Sequence, residues 1–278
     1  MQLLKYVLVS LLLLNSSVTL GVWNSSEIDK SNYSYVFRFE TEMVCTATLL
    51  TRTIAITAAH CFSDFNITTN KKFRAIDASN QDVGFVHFKK IIFHPQYDMD
   101  ELKDGTLPVE KSGFDIAMII LSENDQYVNQ STNAFLEKYS LPIVAPNLTA
   151  NDDLLGLGLG STNDTGDLAD LGAAVLKTNS VTFTSASMLK FSGRANQSLC
   201  PGDSGGPIIK MHKGIPELLG NLSGKISLRI GSDSKNARTC EDDQYSYYVT
   251  NFFLHRDWIK SVISSYTIVV ETIAETVL

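Results

Sequence analysis

The chain has 278 residues, of which 44% are hydrophobic and 19% are charged, so it is long enough to bury a sizeable core. Its formal net charge of -7 at pH 7 argues against nucleic acid as a main partner, because a surface that binds nucleic acid needs a basic patch.

The N-terminal residues are typical of a secretory signal peptide. Lys5 precedes an apolar run over residues 6–14, and small residues follow, among them Thr19 and Gly21. The pattern predicts a signal peptide over residues 1–21, cleaved after Gly21, and a secreted protein (extracellular or periplasmic) that has no membrane association after cleavage. The alternative is an uncleaved anchor, although the apolar run is shorter than the ~20 residues that a spanning helix needs.

From residue 22 onward, short runs with β-type patterning alternate with turn residues, which is typical of an all-β barrel or sandwich. The clearest runs are residues 35–39, 44–50, 53–57, 85–93, 116–121, 173–184, 207–211, 218–230 and 245–253. Residues 98–113 form a long charged loop. A helix is predicted over residues 255–264, and the role of residues 265–278 stays open between a strand and a tail.

His60 follows the predicted strand 53–57 and is preceded by two alanines, which leave space for the imidazole to turn toward a neighbour. It is a candidate general base. Asp115 opens the apolar strand 116–121, so its carboxylate must be nearly buried and needs hydrogen-bond partners, and an imidazole N–H is suitable. The alternatives are a structural histidine and an aspartate that only caps a turn.

Ser204 lies within Cys-Pro-Gly-Asp-Ser-Gly-Gly-Pro, residues 200–207. Glycines allow backbone conformations closed to other residues and expose N–H groups to a substrate. A serine hydroxyl is a weak nucleophile alone, and it needs a base and a group that orients the base. His60 and Asp115 are available for these roles. The other histidines (His87, His94, His212 and His255) have no such context and are expected at the surface or in the core.

These three motifs, in the order His60, Asp115, Ser204, resemble the trypsin/chymotrypsin family of serine peptidases. The resemblance implies an all-β fold of two six-stranded antiparallel β-barrels with a C-terminal helix, and an active site in the cleft between the barrels. It implies a peptidase domain over residues 22–264, with the first barrel at about 22–130, the second at about 131–254 and the closing helix at about 255–264. Residues 265–278 would be a tail.

The resemblance also implies roles. Ser204 would be the nucleophile, His60 the general base and Asp115 the orienting carboxylate, with the N–H groups of Gly202 and Ser204 as the oxyanion hole. Family members are usually activated when a new N-terminal ammonium pairs with the aspartate before the nucleophile, here Asp203. No Ile-Val-Gly-Gly start is present, so we expect signal cleavage to release the ammonium of Val22; the alternative is that Asp203 is held in another way.

The residues of the specificity pocket follow from the same resemblance. Ser198 would form the floor, where a carboxylate would be needed to favour Arg or Lys, so the pocket is not expected to be tryptic. Ser223 would support Asp115 and frame the substrate backbone. Lys225 and Tyr247 stand where the family commonly has glycines, so the pocket could be shallow, or Lys225 could favour an acidic side chain.

Four cysteines in an exported chain predict two disulfides, with three possible connectivities. The resemblance selects Cys45–Cys61 and Cys200–Cys240. A zinc site is the rival interpretation, but no paired Cys-x-x-Cys is present, so neither a metal nor a cofactor is predicted.

The sequence therefore predicts a secreted serine endopeptidase that acts on proteins or peptides and is not specific for Arg or Lys. The alternative is a catalytically weak or inactive homologue that uses the same fold for binding, which the substituted pocket and the unusual start favour. An esterase of unrelated fold is disfavoured by the triad order and by the lack of Gly-x-Ser-x-Gly.

Overall fold

The computed structural model describes residues 22, 24–26, 28–98, 112–123, 134–139, 148, 153–163, 167, 168, 170–185, 188–193, 197–227, 240 and 245–276. The first six strands are β1 (Val36–Glu40), β2 (Val44–Thr51), β3 (Ile54–Thr57), β4 (Lys72–Ile76), β5 (Asp82–Phe93) and β6 (Ala117–Leu121). They close into an antiparallel barrel in the order β1-β2-β3-β6-β5-β4.

Six further strands form a second closed antiparallel barrel, in the order β10-β11-β12-β9-β8-β7. They are β7 (Asp153–Gly158), β8 (Gly172–Ser185), β9 (Met188–Gly193), β10 (Pro207–His212), β11 (Ile215–Ser227) and β12 (Tyr245–Asn251). A C-terminal helix, Phe252–Thr276, follows β12 directly, and short helices lie at Lys30–Tyr33, Ala59–Phe62, Ser112–Phe114 and Phe135–Lys138. The prediction of two six-stranded barrels with a C-terminal helix is confirmed.

The first barrel is filled by aromatic side chains from alternate positions of its strands. Phe37 and Phe39 lie two residues apart on β1 and therefore share a face. Both rings approach that of Phe73, with centroids 6.5 and 5.3 Å apart respectively. Phe73 in turn stacks on Phe88 at 5.8 Å. Each ring removes a large apolar area from water, so this cluster stabilises the barrel that carries His60 and Asp115.

The other face of β1 and β2 meets the second barrel. Arg38 is only 6% exposed, and its Nη1 donates to the carbonyl of Leu159 at 3.2 Å. The Oγ1 of Thr46 accepts from the Leu159 N–H at 3.2 Å and donates to the Gly202 carbonyl at 2.9 Å. These buried bonds fix the two barrels against each other at the loop that carries Ser204.

Strands β4, β7 and β9 were not predicted from the sequence. β4 reads Lys-Phe-Arg-Ala-Ile, and its charged side chains point outward while Phe73 points into the barrel. The C-terminal helix is also longer at both ends than the predicted 255–264, since it runs from Phe252 to Thr276 and takes in most of the expected tail. Residues 265–276 contain neither Gly nor Pro, so nothing in this segment stops the helix.

Two predicted segments, the signal peptide at 1–21 and most of the charged loop at 98–113, lie outside the described residues. In the described part of the chain, no helix combines the length and the apolar character needed to cross a membrane.

Candidate active site

The loop that carries Ser204 is a pair of tight turns, in which Asp203 N–H donates to the Cys200 carbonyl at 3.0 Å and Gly206 N–H to the Asp203 carbonyl at 2.9 Å. Gly205 has φ +79°, in the left-handed region that glycine adopts most readily. A Cβ at Gly205 would lie 2.0 Å from the Oγ1 of Thr57, so space as well as conformation requires glycine there.

Both barrels hold this loop through its backbone. Gly205 N–H donates to the Leu222 carbonyl at 2.8 Å, and Leu222 N–H donates to the Gly206 carbonyl at 2.9 Å, which attaches the loop to β11 of the second barrel. From the first barrel, Thr46 N–H donates to the Ser204 carbonyl at 2.8 Å. The nucleophile candidate is therefore positioned by backbone contacts on two sides.

His60 lies in the short helix that follows β3, and its ring faces Asp115, which precedes β6. The distance from His60 Nδ1 to Asp115 Oδ2 is 2.7 Å, and His60 N–H donates to Oδ1 at 2.8 Å. Ser223 Oγ donates to Oδ2 at 2.6 Å. Asp115 is fully buried, so its carboxylate depends on these three donors. Because an ionised carboxylate only accepts, His60 carries its proton on Nδ1, and Nε2 is left to accept.

The pKa of His60 results from opposing effects. Burial, the largest one, disfavours the charged imidazolium, but the charge of Asp115 and the hydrogen bond to it together outweigh burial. The pKa of His60 is therefore raised above its ordinary value.

The backbone of Asp115 is held by two residues that the sequence did not single out. Asn221 Nδ2 donates to the Asp115 carbonyl at 3.2 Å, and Thr250 Oγ1 donates to it at 3.1 Å. Both side chains are buried in the second barrel, at 1% and 0% exposure. In the sequence, each of them is a polar residue inside an otherwise apolar strand. A single motif does not show that such a residue will contact another one more than 100 positions away.

Asp203 is also fully buried, and its carboxylate is held by backbone groups. Gly160 N–H donates to Oδ1 and Cys200 N–H donates to Oδ2, both at 2.7 Å. Val22 is 1% exposed and belongs to the core of the second barrel, together with Leu199 and Tyr247.

A cavity of about 440 Å³ opens beside the nucleophile candidate. Four of the described residues that line it are His60, Gly202, Ser204 and Ser161. The rest is largely apolar and is formed by Met43, Val44, Cys45, Leu168 and Pro201. The wall of this cavity therefore brings together His60, Gly202 and Ser204.

Ser198 and Tyr247 contact each other behind the loop. Tyr247 hydroxyl donates to Ser198 Oγ at 3.2 Å and accepts from Leu199 N–H at 3.2 Å. Tyr247 and Ser198 are 1% and 0% exposed. Lys225 pairs with Tyr247 across β11 and β12, and its side chain lies outside the described residues.

The disulfide between Cys45 and Cys61 is present and lies next to His60. The two Sγ atoms and a ring nitrogen of His60 lie within 4.8 Å of one another. Sulfurs joined in a disulfide cannot, however, serve as thiolate ligands for a metal. Cys200 and Cys240 are both buried, but the structure does not join them to each other, and Cys240 is flanked by residues outside the described set. That second disulfide stays a prediction.

Two of the remaining histidines are buried and linked. His94 Nδ1 accepts from Gln96 N–H at 3.2 Å, so its Nε2 carries the proton and donates to His255 Nδ1 at 3.2 Å. His255 Nε2 then donates to the carbonyl of Gly113, two residues before Asp115, at 2.7 Å. His87 and His212 are exposed.

Two closed six-stranded barrels, with a histidine, an aspartate and a serine brought together where they meet, define the trypsin/chymotrypsin-like class of folds. The sequence matches the trypsin family over residues 22–259, and the chain belongs to that family.

Two curated relatives are similar to the chain at 26% and 27% identity. Venom serine protease 34 of Apis mellifera is 26% identical over 237 residues, which cover 80% of this chain and 53% of the relative. Chymotrypsin-like elastase family member 1 of Rattus norvegicus is 27% identical over 185 residues, which cover 59% of this chain and 61% of the relative. The chain thus spans about half to three-fifths of the length of these relatives.

Proposed function

We propose that the protein is a serine endopeptidase that hydrolyses peptide bonds in proteins or peptides through an acyl-enzyme. The observation that carries this proposal is the hydrogen bond from His60 Nδ1 to buried Asp115, with His60 and Ser204 on the wall of one cavity. Family membership and two relatives named as a serine protease and an elastase support the same reaction.

In the proposed mechanism, Ser204 Oγ attacks the peptide carbonyl carbon while His60 Nε2 takes the hydroxyl proton. The N–H groups of Gly202 and Ser204 stabilise the oxyanion, and one such donor typically contributes about 3 kcal/mol. His60 then gives its proton to the leaving amine, and the C–N bond breaks. Water repeats the sequence on the acyl-enzyme and restores Ser204. Asp115 stabilises the imidazolium throughout.

A fluorophosphonate probe tests this proposal because it forms a covalent bond only with an activated serine. We expect wild-type protein to be labelled at Ser204, and labelling to disappear in Ser204→Ala and fall by orders of magnitude in His60→Ala. Ser265→Ala, at an exposed serine of the C-terminal helix, is the control and should be labelled like the wild type. If folded, correctly processed wild-type protein does not react with the probe, the proposal is wrong.

We also propose that residues 1–21 direct secretion and are removed, that residues 22–264 form the peptidase domain, and that the Val22 ammonium then pairs with Asp203. The backbone at Val22 supports the cut after Gly21. Its φ is +78°, which is strained for a β-branched residue, and the strain disappears when the preceding peptide bond is cut. N-terminal sequencing of secreted protein is expected to begin at Val22, and any other start would contradict the activation step.

The second candidate is an inactive homologue that acts by binding, and the buried Tyr247 favours it because that side chain contacts Ser198, the expected floor of the specificity pocket. A binding protein, however, has no use for a hydrogen-bonded pair of buried Asp115 and His60. The fluorophosphonate experiment separates the two candidates, since only the enzyme reacts.

A further inference from the structure

Tyr247 crosses the space between strand β12 and the segment that leads to Ser204. Its backbone lies on β12, opposite Lys225 of β11, while its hydroxyl contacts Ser198 Oγ and Leu199 N–H, each at 3.2 Å. The side chain is 1% exposed. A tyrosine that is anchored at both ends in this way is a fixed wall rather than a mobile cover.

This space is the one in which the acyl-side residue of a substrate would lie, because the resemblance to trypsin-like peptidases makes Ser198 the floor of that pocket. Because Tyr247 contacts the floor, its ring takes up depth that a large substrate side chain would need. To enter, a large substrate side chain would have to expel Tyr247 and leave the Ser198 hydroxyl and the Leu199 N–H without this buried partner, which carries a substantial cost.

The residues that line the cavity of about 440 Å³ are different from those that contact the Tyr247 hydroxyl. Its wall includes neither Ser198, Ser223 nor Tyr247. It lies against β2 and against Cys45, whose disulfide partner Cys61 directly follows His60. None of the described residues that line the cavity belongs to β11 or β12. Because His60 must protonate the leaving amine, this cavity beside His60 receives the leaving-group side of the substrate.

We propose that Tyr247 closes the acyl-side pocket, so that the enzyme cleaves after small residues (Gly, Ala or Ser) and selects its substrates by an apolar side chain that follows the cleaved bond. This inference rests on the proposed peptidase activity. Met43, Val44, Leu168 and Pro201 give the leaving-group cavity apolar walls, and its volume lies in the range of ~300–1,000 Å³ that is typical of ligand pockets.

Internally quenched peptides test the inference. One series varies the residue before the cleaved bond (Ala, Leu, Phe, Arg), and the other keeps Ala there and varies the following residue (Leu, Phe, Gly, Asp). We expect kcat/KM to be at least about tenfold higher for Ala than for Phe or Arg in the first series, and higher for Leu or Phe than for Gly or Asp in the second. Tyr247→Gly should raise kcat/KM for Phe in the first series at least about tenfold, while the order within the second series stays unchanged.

Tyr248→Gly is the matched control, because neighbouring strand residues point to opposite faces and this change should not admit Phe. Tyr247→Phe keeps the ring and should keep the preference for small residues, so this variant and the wild-type profile test the inference even where Tyr247→Gly does not fold. Fluorophosphonate labelling runs in parallel. Labelled wild-type protein that cleaves after Phe or Arg as well as after Ala would overturn the inference and leave the peptidase standing; no labelling would overturn both.

Discussion

At the scale of single residues, the raised pKa of His60 leads to a prediction about the pH dependence of catalysis. A general base must be neutral, so kcat/KM should be lost as pH falls through the pKa of His60. Because Asp115 raises this pKa against the effect of burial, we expect the midpoint of the acid limb to lie above the ordinary histidine value of 6.5. A profile of kcat/KM from pH 5 to 9 measures it, and a midpoint clearly below 6.5 would contradict the assigned pairing.

Ser223 gives a second prediction at this scale. It donates to the same carboxylate oxygen, Asp115 Oδ2, that faces His60 Nδ1. Without this donor, the carboxylate interacts more strongly with the imidazolium, which raises the pKa of His60 further. Ser223→Ala should therefore move the acid limb of kcat/KM to higher pH. Ser246→Ala, at a buried serine of β12 four residues before Thr250, which contacts Asp115, should leave the limb in place. A shift of the limb to lower pH in Ser223→Ala would mean that Ser223 does not stabilise the carboxylate.

At the scale of elements, the nucleophile loop and the end of β7 fit together without spare room. Asp203 accepts from the N–H groups of Gly160 and Cys200, and a Cβ at Gly158 would lie 1.9 Å from Asp203 Oδ1. Gly158→Ala must therefore displace the buried carboxylate and the loop that follows it. We expect a loss of several kcal/mol in unfolding free energy and loss of fluorophosphonate labelling.

Gly224 provides the control for this substitution. It is also a strand glycine, on β11, but a Cβ there would meet nothing within 4 Å. Gly224→Ala should change the melting temperature little. If Gly158→Ala melted like the wild type and reacted with the probe, the close fit between β7 and Asp203 would not be what positions the loop.

The same elements show how far the sequence reaches. His60, Asp115 and Ser204 were predicted as site residues because each lies in a local string with its own chemical signature, and the two barrels followed from the family that those strings resemble. Thr46, which joins Gly202 to Leu159, was missed because its partners are more than 100 residues away in the chain. A local pattern does not show which distant backbone groups will face a threonine.

Tyr247 shows the same limit inside a correctly predicted strand. The sequence placed it on the wall of the pocket and left open whether it narrows the pocket. Whether its ring fills the pocket depends on the path of residues 198–200 beneath it, which only the three-dimensional structure gives. The length of the C-terminal helix was underestimated for another reason, because the β-branched residues after Tyr266 favour a strand locally and the helix prevails there.

At the scale of the whole molecule, the buried histidine pair joins three parts of the chain. His94 follows β5, His255 belongs to the C-terminal helix, and Gly113 precedes Asp115. Each bond in this series needs a neutral imidazole that donates through one nitrogen and accepts through the other. Protonation of either ring places two N–H groups face to face and breaks a hydrogen bond of the series. The packing of the C-terminal helix therefore depends on pH.

Acid conditions should therefore destabilise the fold through this pair. Burial lowers the pKa of His94 to about 4, helped by His255, and burial also lowers the pKa of His255. A lowered histidine pKa means that the unfolded chain binds protons first, so the stability from this pair is complete above pH 6.5 and is lost as pH falls toward 4. For His94 alone, the loss between pH 7 and pH 5 is about 2 kcal/mol. The raised pKa of His60 acts in the opposite direction.

Chemical denaturation at pH 7, 6 and 5 measures this effect, in a Ser204→Ala background that prevents self-digestion. The double variant His94→Gln/His255→Gln should lose most of the pH dependence over this range because neither position can then bind a proton. His212→Gln removes an exposed histidine and should keep the full dependence of the parent. If the double variant lost stability equally steeply, the acid sensitivity would come from the carboxylates instead. The histidine pair would then not be what makes the packing of the two barrels and the helix depend on pH.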